Sequence, residues 1–309
     1  MEMLYQRDVY GQTLVELGKR NKDIVVLDAD LSSSTRTSLF AREFPQRFFN
    51  FGVAEQNMMA TAAGLASCGK IVFASTFAIF ASGRAWDQVR NSICYNNFNV
   101  RIVATHAGIT VGEDGASHQA IEDIAILRAI PNMTIVVPCD GPQTREAILA
   151  SVSYPGPMYI RLGRTKVPTI ENKGKFEIGK AYSLCEGRDL AIVACGIMVN
   201  EALAAAKELS KENIKATVLD VPSVKPLDNE TILNLAKATG RFVVCEEHMV
   251  TGGLSSAIAE FLGETYPIPI ARVGVRNRFG QSGTPQDLLK EYNLTSQDII
   301  CEAKRLMRQ

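Results

Sequence analysis

Short continuous apolar runs alternate with longer stretches of helical spacing along the whole chain. A helix is expected over 8–20, where Val9, Leu14, Val15 and Leu17 share one face. The run 23–28 (Asp-Ile-Val-Val-Leu-Asp) reads as a buried parallel strand, because a strand covered on both faces shows no polar alternation. A short helix is expected over 34–43, with several polar N-cap candidates before it. Further strands are expected at 71–75, 100–105, 134–138 and 158–162, with helices near 55–67, 82–95, 119–129 and 141–152. Repeated strand–helix alternation gives an α/β domain with a mostly parallel sheet flanked by helices.

The pattern breaks between Arg164 and Gly179, where Pro168, Gly174 and several charges interrupt the periodicity. A linker is therefore expected at 166–185, between a first domain over 1–165 and a second over 186–309. The second domain repeats the α/β pattern. Strands are expected at 189–194, 216–220, 242–246 and 270–273, and helices near 198–211, 228–239, 252–264 and 296–308. Pro222, Pro226, Pro267 and Pro269 punctuate the connections. A length of 309 residues suits two domains of ~150 residues each.

Composition narrows the function classes. Hydrophobic residues make up 46% and charged residues 21%, as in soluble globular proteins. Thirty-three basic residues balance 33 acidic ones, which argues against a nucleic-acid or anionic-membrane surface. The chain lacks the ~18-residue apolar run of a membrane span, and the N-terminus lacks a basic-then-apolar leader pattern. Seven cysteines form no CxxC pair. Cys68, Cys139, Cys195 and Cys245 end or flank apolar runs, as buried thiols do, so a reducing cytoplasm is the expected compartment.

Parallel sheets bind ligands beyond the carboxyl ends of their strands. Four polar clusters follow apolar runs: Asp28-Ala29-Asp30, Ser75-Thr76-Phe77, Thr105-His106 and the stretch from Arg161 to Arg164. Sheet geometry places them on one rim. Glu55 adds a carboxylate inside an apolar, small-residue segment with no Lys or Arg nearby in sequence. Burial would raise its pKa, and the start of its helix would oppose that. Phe77 and Phe80 stand just past a strand end, where rings pack in a core or stack on a flat heterocycle. The glycine-containing segment from Thr105 to Gln119 carries two of the three histidines. A metal site there matches no ligand spacing, and the adjacent Ser117 and His118 make a poor nucleophile pair.

These segments resemble those of transketolases. Gly52-Val53-Ala54-Glu55-Gln56-Asn57-Met58 is similar to the family's pyrimidine-binding motif, whose glutamate hydrogen-bonds N1′ of thiamine diphosphate and so activates the cofactor. Ser75-Thr76-Phe77-Ala78-Ile79-Phe80 resembles the aromatic segment of the aminopyrimidine pocket. Arg84 begins a matching Arg-Ala-Trp-Asp-Gln-Val-Arg stretch, with one extra residue before it relative to some members. The Gly112-Glu113-Asp114-Gly115 loop resembles the sugar-binding loop. By that match Asp114 binds donor hydroxyls, His118 lies near the reacting end, and His106 approaches the far, phosphorylated end. Arg7, Ser34 and Arg164 match phosphate-contacting residues, and Asp30 matches a residue near the thiazolium portion. Glu246-Glu247-His248-Met249 through Leu254 resembles the C-terminal-domain signature and implies no catalytic role for His248.

The resemblance runs over nearly the whole chain but only over the family's C-terminal half. The Gly-Asp-Gly motif with its downstream Asn, which holds Mg²⁺ and the diphosphate, has no match, so no metal ligand is assigned here. The implied protein is the C-terminal subunit of a split transketolase: a pyrimidine-binding domain plus a C-terminal domain. It would transfer a ketol unit between phosphosugars with an N-terminal partner subunit, in a two-fold assembly. Deoxyxylulose-phosphate synthases and 2-oxoacid dehydrogenase β subunits share the pyrimidine domain, but the Gly-Glu-Asp-Gly loop and the Ser-Thr-Phe run favour transketolase. A sulfonated or unusual sugar could replace the pentose phosphate. A cofactor-free interaction paralogue is the rival from another class, and the retained Glu55, aromatics and anion-end residues argue against it.

Overall fold

The computed structural model describes residues 2–171 and 174–308. Strand β1 (Met3–Tyr5) leads into a helix over Gln6–Arg20. Strands β2 (Ile24–Asp28), β3 (Phe48–Asn50), β4 (Ile71–Phe77), β5 (Val100–Thr105), β6 (Thr134–Val136) and β7 (Met158–Arg161) follow, and β8 (Lys166–Pro168) returns to pair antiparallel with β1. The second half adds β9 (Tyr182–Cys185), β10 (Leu190–Ala194), β11 (Ala216–Asp220), β12 (Ser223–Lys225), β13 (Phe242–Met249) and β14 (Ile270–Val275).

The larger sheet has the order β12-β6-β7-β5-β4-β2-β3, and the second has β14-β13-β10-β11-β9. Both are parallel except at an edge: β12 joins the first antiparallel, and β9 joins the second antiparallel. Strand β2 shows why the strands are continuously apolar. Ile24 and Val26 pack into one core cluster, and Val25 and Leu27 into another on the opposite face. The helix Glu55–Ser67 turns Met58, Met59, Ala62 and Ala63 inward. Met58 and Met59 are fully buried, and burying a side chain of this kind contributes roughly 1.5–3 kcal/mol.

Several expected elements differ from those observed. The linker expected at 166–185 contains β8 and β9, because short edge strands carry too few residues to show a period; residues 172 and 173 within it lie outside the described residues, as do 1 and 309. The helix expected over 34–43 is two short pieces, Ser32–Thr35 and Ser38–Glu43, broken where Arg36 adopts φ 69°. The helix expected over 82–95 winds largely as π-helix, over Phe80–Arg84 and Val89–Cys94. Cys68 is exposed at the end of its helix, whereas Cys139, Cys195 and Cys245 are buried. No described helix is long and apolar enough to cross a membrane.

Candidate active site

The carboxyl ends of β2, β4 and β5 bring the candidate residues to one rim. Glu55 opens the helix Glu55–Ser67 and is 1% exposed. Its Oε1 accepts a hydrogen bond from Arg84 Nη1 at 2.8 Å. The carboxylate thus has a cationic partner that sequence proximity hid, since Arg84 lies 29 residues away. Its other oxygen, Oε2, is buried and has no partner among the described residues.

From Glu55 the side chains run on in contact. The Arg84 guanidinium carbon lies 4.4 Å from the Phe80 ring centroid. Phe80 and Phe77 are near-parallel, with centroids 6.1 Å apart, and Phe77 stacks on His106 at 3.8 Å. His118 stands steeply inclined to both phenylalanine rings, its centroid 5.4 Å from that of Phe80 and 6.3 Å from that of Phe77. His106 Nε2 lies 3.4 Å from Arg7 Nη1, and Arg7 Nη1 also donates to the carbonyl of Ser34 at 3.4 Å.

The charge at this far end is cationic. A guanidinium can only donate, so His106 Nε2 accepts and Nδ1 carries the proton, which it donates to Thr105 Oγ1 at 2.9 Å. Burial, reinforced by Arg7, Arg164 and His118, pushes the His106 pKa down to about 3. Burial, with Arg36 and Arg164 nearby, also lowers Arg7, whose Nε is buried without a partner among the described residues. Arg164 Nη1 donates to the carbonyl of Val111 and to Glu113 Oε2 at 3.0 Å. The Glu113 carboxyl is held below its usual range by its own backbone N–H and by Arg164.

Ser34 sits in the four-residue turn Ser32–Thr35, not at the start of a longer helix as expected. That turn is built on Asp28. Its Oδ1 accepts from the N–H of Leu31, and its Oδ2 from the hydroxyls of Thr35 and Thr37. Asp30 is exposed with φ 63° and is clasped by Asn50, whose Oδ1 accepts from the N–H groups of Asp30 and Gly52. Asp114 is exposed in its loop, and no side-chain contact among the described residues joins it to the others. Sequence reasoning missed Arg36, which faces Arg7 and pairs with Asp8 at 2.5 Å, and Asn50, which ties Asp30 to the Glu55 segment. Asn50 ends an apolar-rich strand, the same signal that exposed Asp30; Arg36 gave none.

Residues 2–169 match the model of the transketolase pyrimidine binding domain, and residues 179–299 that of the transketolase C-terminal domain. The chain belongs to the transketolase family. A putative transketolase C-terminal section from Methanocaldococcus jannaschii is 50% identical, with 98% of this chain and 95% of that protein aligned. A 6-deoxy-6-sulfo-D-fructose transketolase subunit from Clostridium sp. (strain MSTE9) is 44% identical over 97% of this chain and 94% of its own. A split-gene transketolase solved as an inactive beta4 tetramer superposes with a TM-score of 0.92 at 53% identity, covering 99% of both chains. The rim described above therefore lies in a transketolase pyrimidine-binding domain, and β9, β10, β11, β13 and β14 form the sheet of a transketolase C-terminal domain.

Proposed function

We propose that this transketolase chain transfers a two-carbon ketol unit from a ketose phosphate to an aldose phosphate, and does so only with a partner subunit that completes the cofactor site. The observation that carries this reading is the Glu55 carboxyl: one oxygen fixed by Arg84, which in turn lies over the Phe80 ring, the other buried and unpartnered among the described residues. Leaving a buried acceptor unsatisfied costs roughly 1–3 kcal/mol. N1′ of an aminopyrimidine ring would relieve that cost, so the residues fit thiamine diphosphate. When bound, that cofactor supplies the electron sink for breaking and forming the carbon–carbon bond.

The chain's own residues do the rest. Glu55 holds the proton at N1′. Arg84 keeps Glu55 in one orientation, and Phe77 and Phe80 pack the ring so that its geometry is set in advance. Asp30 would help to hold the thiazolium portion. His118, inclined to the two aromatic rings, faces the reacting end of the sugar, and Asp114 binds its hydroxyls. Arg7, Arg164 and Ser34 receive the anionic end, with His106 beside them. A guanidinium grips a three-oxygen anion through several donors, and neutral His106, whose Nε2 accepts from Arg7, orients that guanidinium. A sulfonate would fit the same donors, and the Clostridium relative is named for a sulfosugar.

Mg²⁺ and the diphosphate are assigned to the partner subunit, because the near-full-length relatives are themselves a C-terminal section and a subunit. The test is reconstitution. The purified chain is titrated with thiamine diphosphate and Mg²⁺ and assayed with and without the N-terminal subunit, over phosphorylated and sulfonated ketoses. Turnover should require both subunits. Full transfer by the chain alone would overturn the partner requirement, and no transfer from any ketose by the pair would overturn the reaction.

A further inference from the structure

Residues Glu246, Glu247 and His248 end strand β13 in the C-terminal domain and have no role in the reaction above. Glu247 and His248 reach across the domain boundary, whereas Glu246 accepts from the N–H groups of Leu254 and Ser255 in its own domain. Glu247 is buried, and its Oε1 accepts from the backbone N–H of Thr110 at 2.7 Å. Gly108 lies directly on this carboxylate: with φ 81°, a Cβ there would stand 2.2 Å from Glu247 Cδ. Arg161 Nη2 donates to the carbonyls of Glu247 at 3.0 Å and Ala120 at 3.1 Å, and Arg161 Nε pairs with buried Asp123 at 2.8 Å. His248 Nδ1 lies 2.7 Å from the Met249 carbonyl, which only accepts, so Nε2 is free to accept from the N–H of Ala125 at 3.3 Å.

A second stretch of the C-terminal domain covers the other side of the same loop. Gln119 is buried, and its Nε2 donates to the carbonyl of Gln281 at 2.9 Å and of Ile109 at 3.0 Å. A Cβ on Gly280 would fall 1.7 Å from Gln119 Oε1. Ser282 Oγ donates to the carbonyl of Glu113 at 2.7 Å. The segment that carries His106, Asp114 and His118 is therefore held between the end of β13 and residues 280–282.

We propose that Glu247 is a positioning residue for the substrate loop, holding residues 106–119 in place from the neighbouring domain through Thr110 and Gly108. The C-terminal domain then acts as the loop's mould and touches no substrate. The proposal rests on the ketol-transfer reading only for its kinetic arm.

Two measurements test it. The first is amide hydrogen exchange on the purified chain, which needs neither partner nor activity. Glu247→Ala should speed exchange across 106–119 and leave the helix Glu55–Ser67 unchanged. The second is kinetics of the reconstituted pair. Glu247→Ala should raise KM for the ketose phosphate about tenfold, as for one lost buried hydrogen bond, with kcat and thiamine diphosphate affinity held. Glu247→Gln keeps an acceptor oxygen and should restore most of both readouts. If Glu247→Ala does not fold, Ser282→Ala, at an exposed position, should loosen the loop around Glu113 with a smaller rise in KM. Unchanged loop exchange, or faster exchange spread evenly over both sheets, would overturn the proposal. Faster loop exchange with no ketol transfer by the wild-type pair would support it and overturn the reaction alone.

Discussion

Arg84 holds Oε1 of Glu55 at 2.8 Å while Oε2 stays buried and unpartnered among the described residues. The carboxyl is thereby fixed in rotation with one oxygen reserved. Glu55→Gln should fold normally and lower ketol-transfer turnover on the order of 10²-fold or more, the usual worth of a general acid–base group. Near-wild-type turnover in the reconstituted enzyme would remove Glu55 from the reaction.

Arg84→Met should leave Glu55 in place but free to rotate, and should also remove the stacking on Phe80. The expected result is a lower kcat together with weaker thiamine diphosphate binding. Arg84→Lys keeps the charge and loses the planar fork and its stacking, so it should rescue only in part. Full rescue by Lys would show that charge alone matters at this position.

The cationic end should read the sugar's anion. Arg7→Met or Arg164→Met should raise KM for a phosphosugar about 10- to 150-fold, the equivalent of the roughly 1.5–3 kcal/mol of a hydrogen bond to a charged group. A short uncharged donor should be little affected. Equal effects on both donors, measured side by side, would show that neither arginine contacts the anion.

Acid stability should depend on His106. Its pKa falls from 6.5 to about 3 on folding, because burial and the nearby arginines oppose its charge. Between those values the unfolded chain binds a proton that the folded chain does not. The contribution is thus fully present above 6.5 and is lost as pH falls toward 3. Urea midpoints of wild type and His106→Gln, compared from pH 7 to pH 4, should converge as the pH drops. A pH-independent difference would mean that His106 takes up its proton in the folded chain at the same pH as in the unfolded one.

The buried pair of Arg161 and Asp123 should be the costliest polar contact to break. Burial pushes the Asp123 carboxyl up, but Arg161 at 2.8 Å and the Tyr159 hydroxyl at 2.6 Å hold it below its usual range. Asp123→Ala would strand a buried guanidinium and should cost about 3–5 kcal/mol in urea unfolding. A loss below about 1 kcal/mol would show that water reaches the site.

Much of this was legible in the sequence for definite reasons. Val100–Thr105, Ala216–Asp220 and the helices Glu55–Ser67 and Met198–Lys211 fall where their apolar patterns place them. Buried parallel strands and long amphipathic helices repeat their signal many times. Strands β1, β3, β8, β9 and β12 are too short to do so, and the helix Pro285–Glu291 escaped for the same reason. The polar ends of β2, β4 and β5 marked the rim because parallel topology forces them to one side. Pairing across the rim was not visible: nothing local links Arg84 to Glu55 or Glu247 to Thr110, since each pair is made by tertiary packing alone.

The strand Ser223–Lys225 pairs with Thr134–Val136 and so closes the edge of a sheet otherwise built from the first half of the chain. Recombination must respect that loan. A chimaera joined near residue 170 inherits its seventh strand from a different parent than the six it completes. Its sheet would be sound only if the incoming half matched the register at Ser223 and Lys225. Left unmatched, Thr134–Val136 would become an open edge and a template for another molecule's strand. Shuffled halves of two relatives should therefore fail by aggregation before they fail in chemistry.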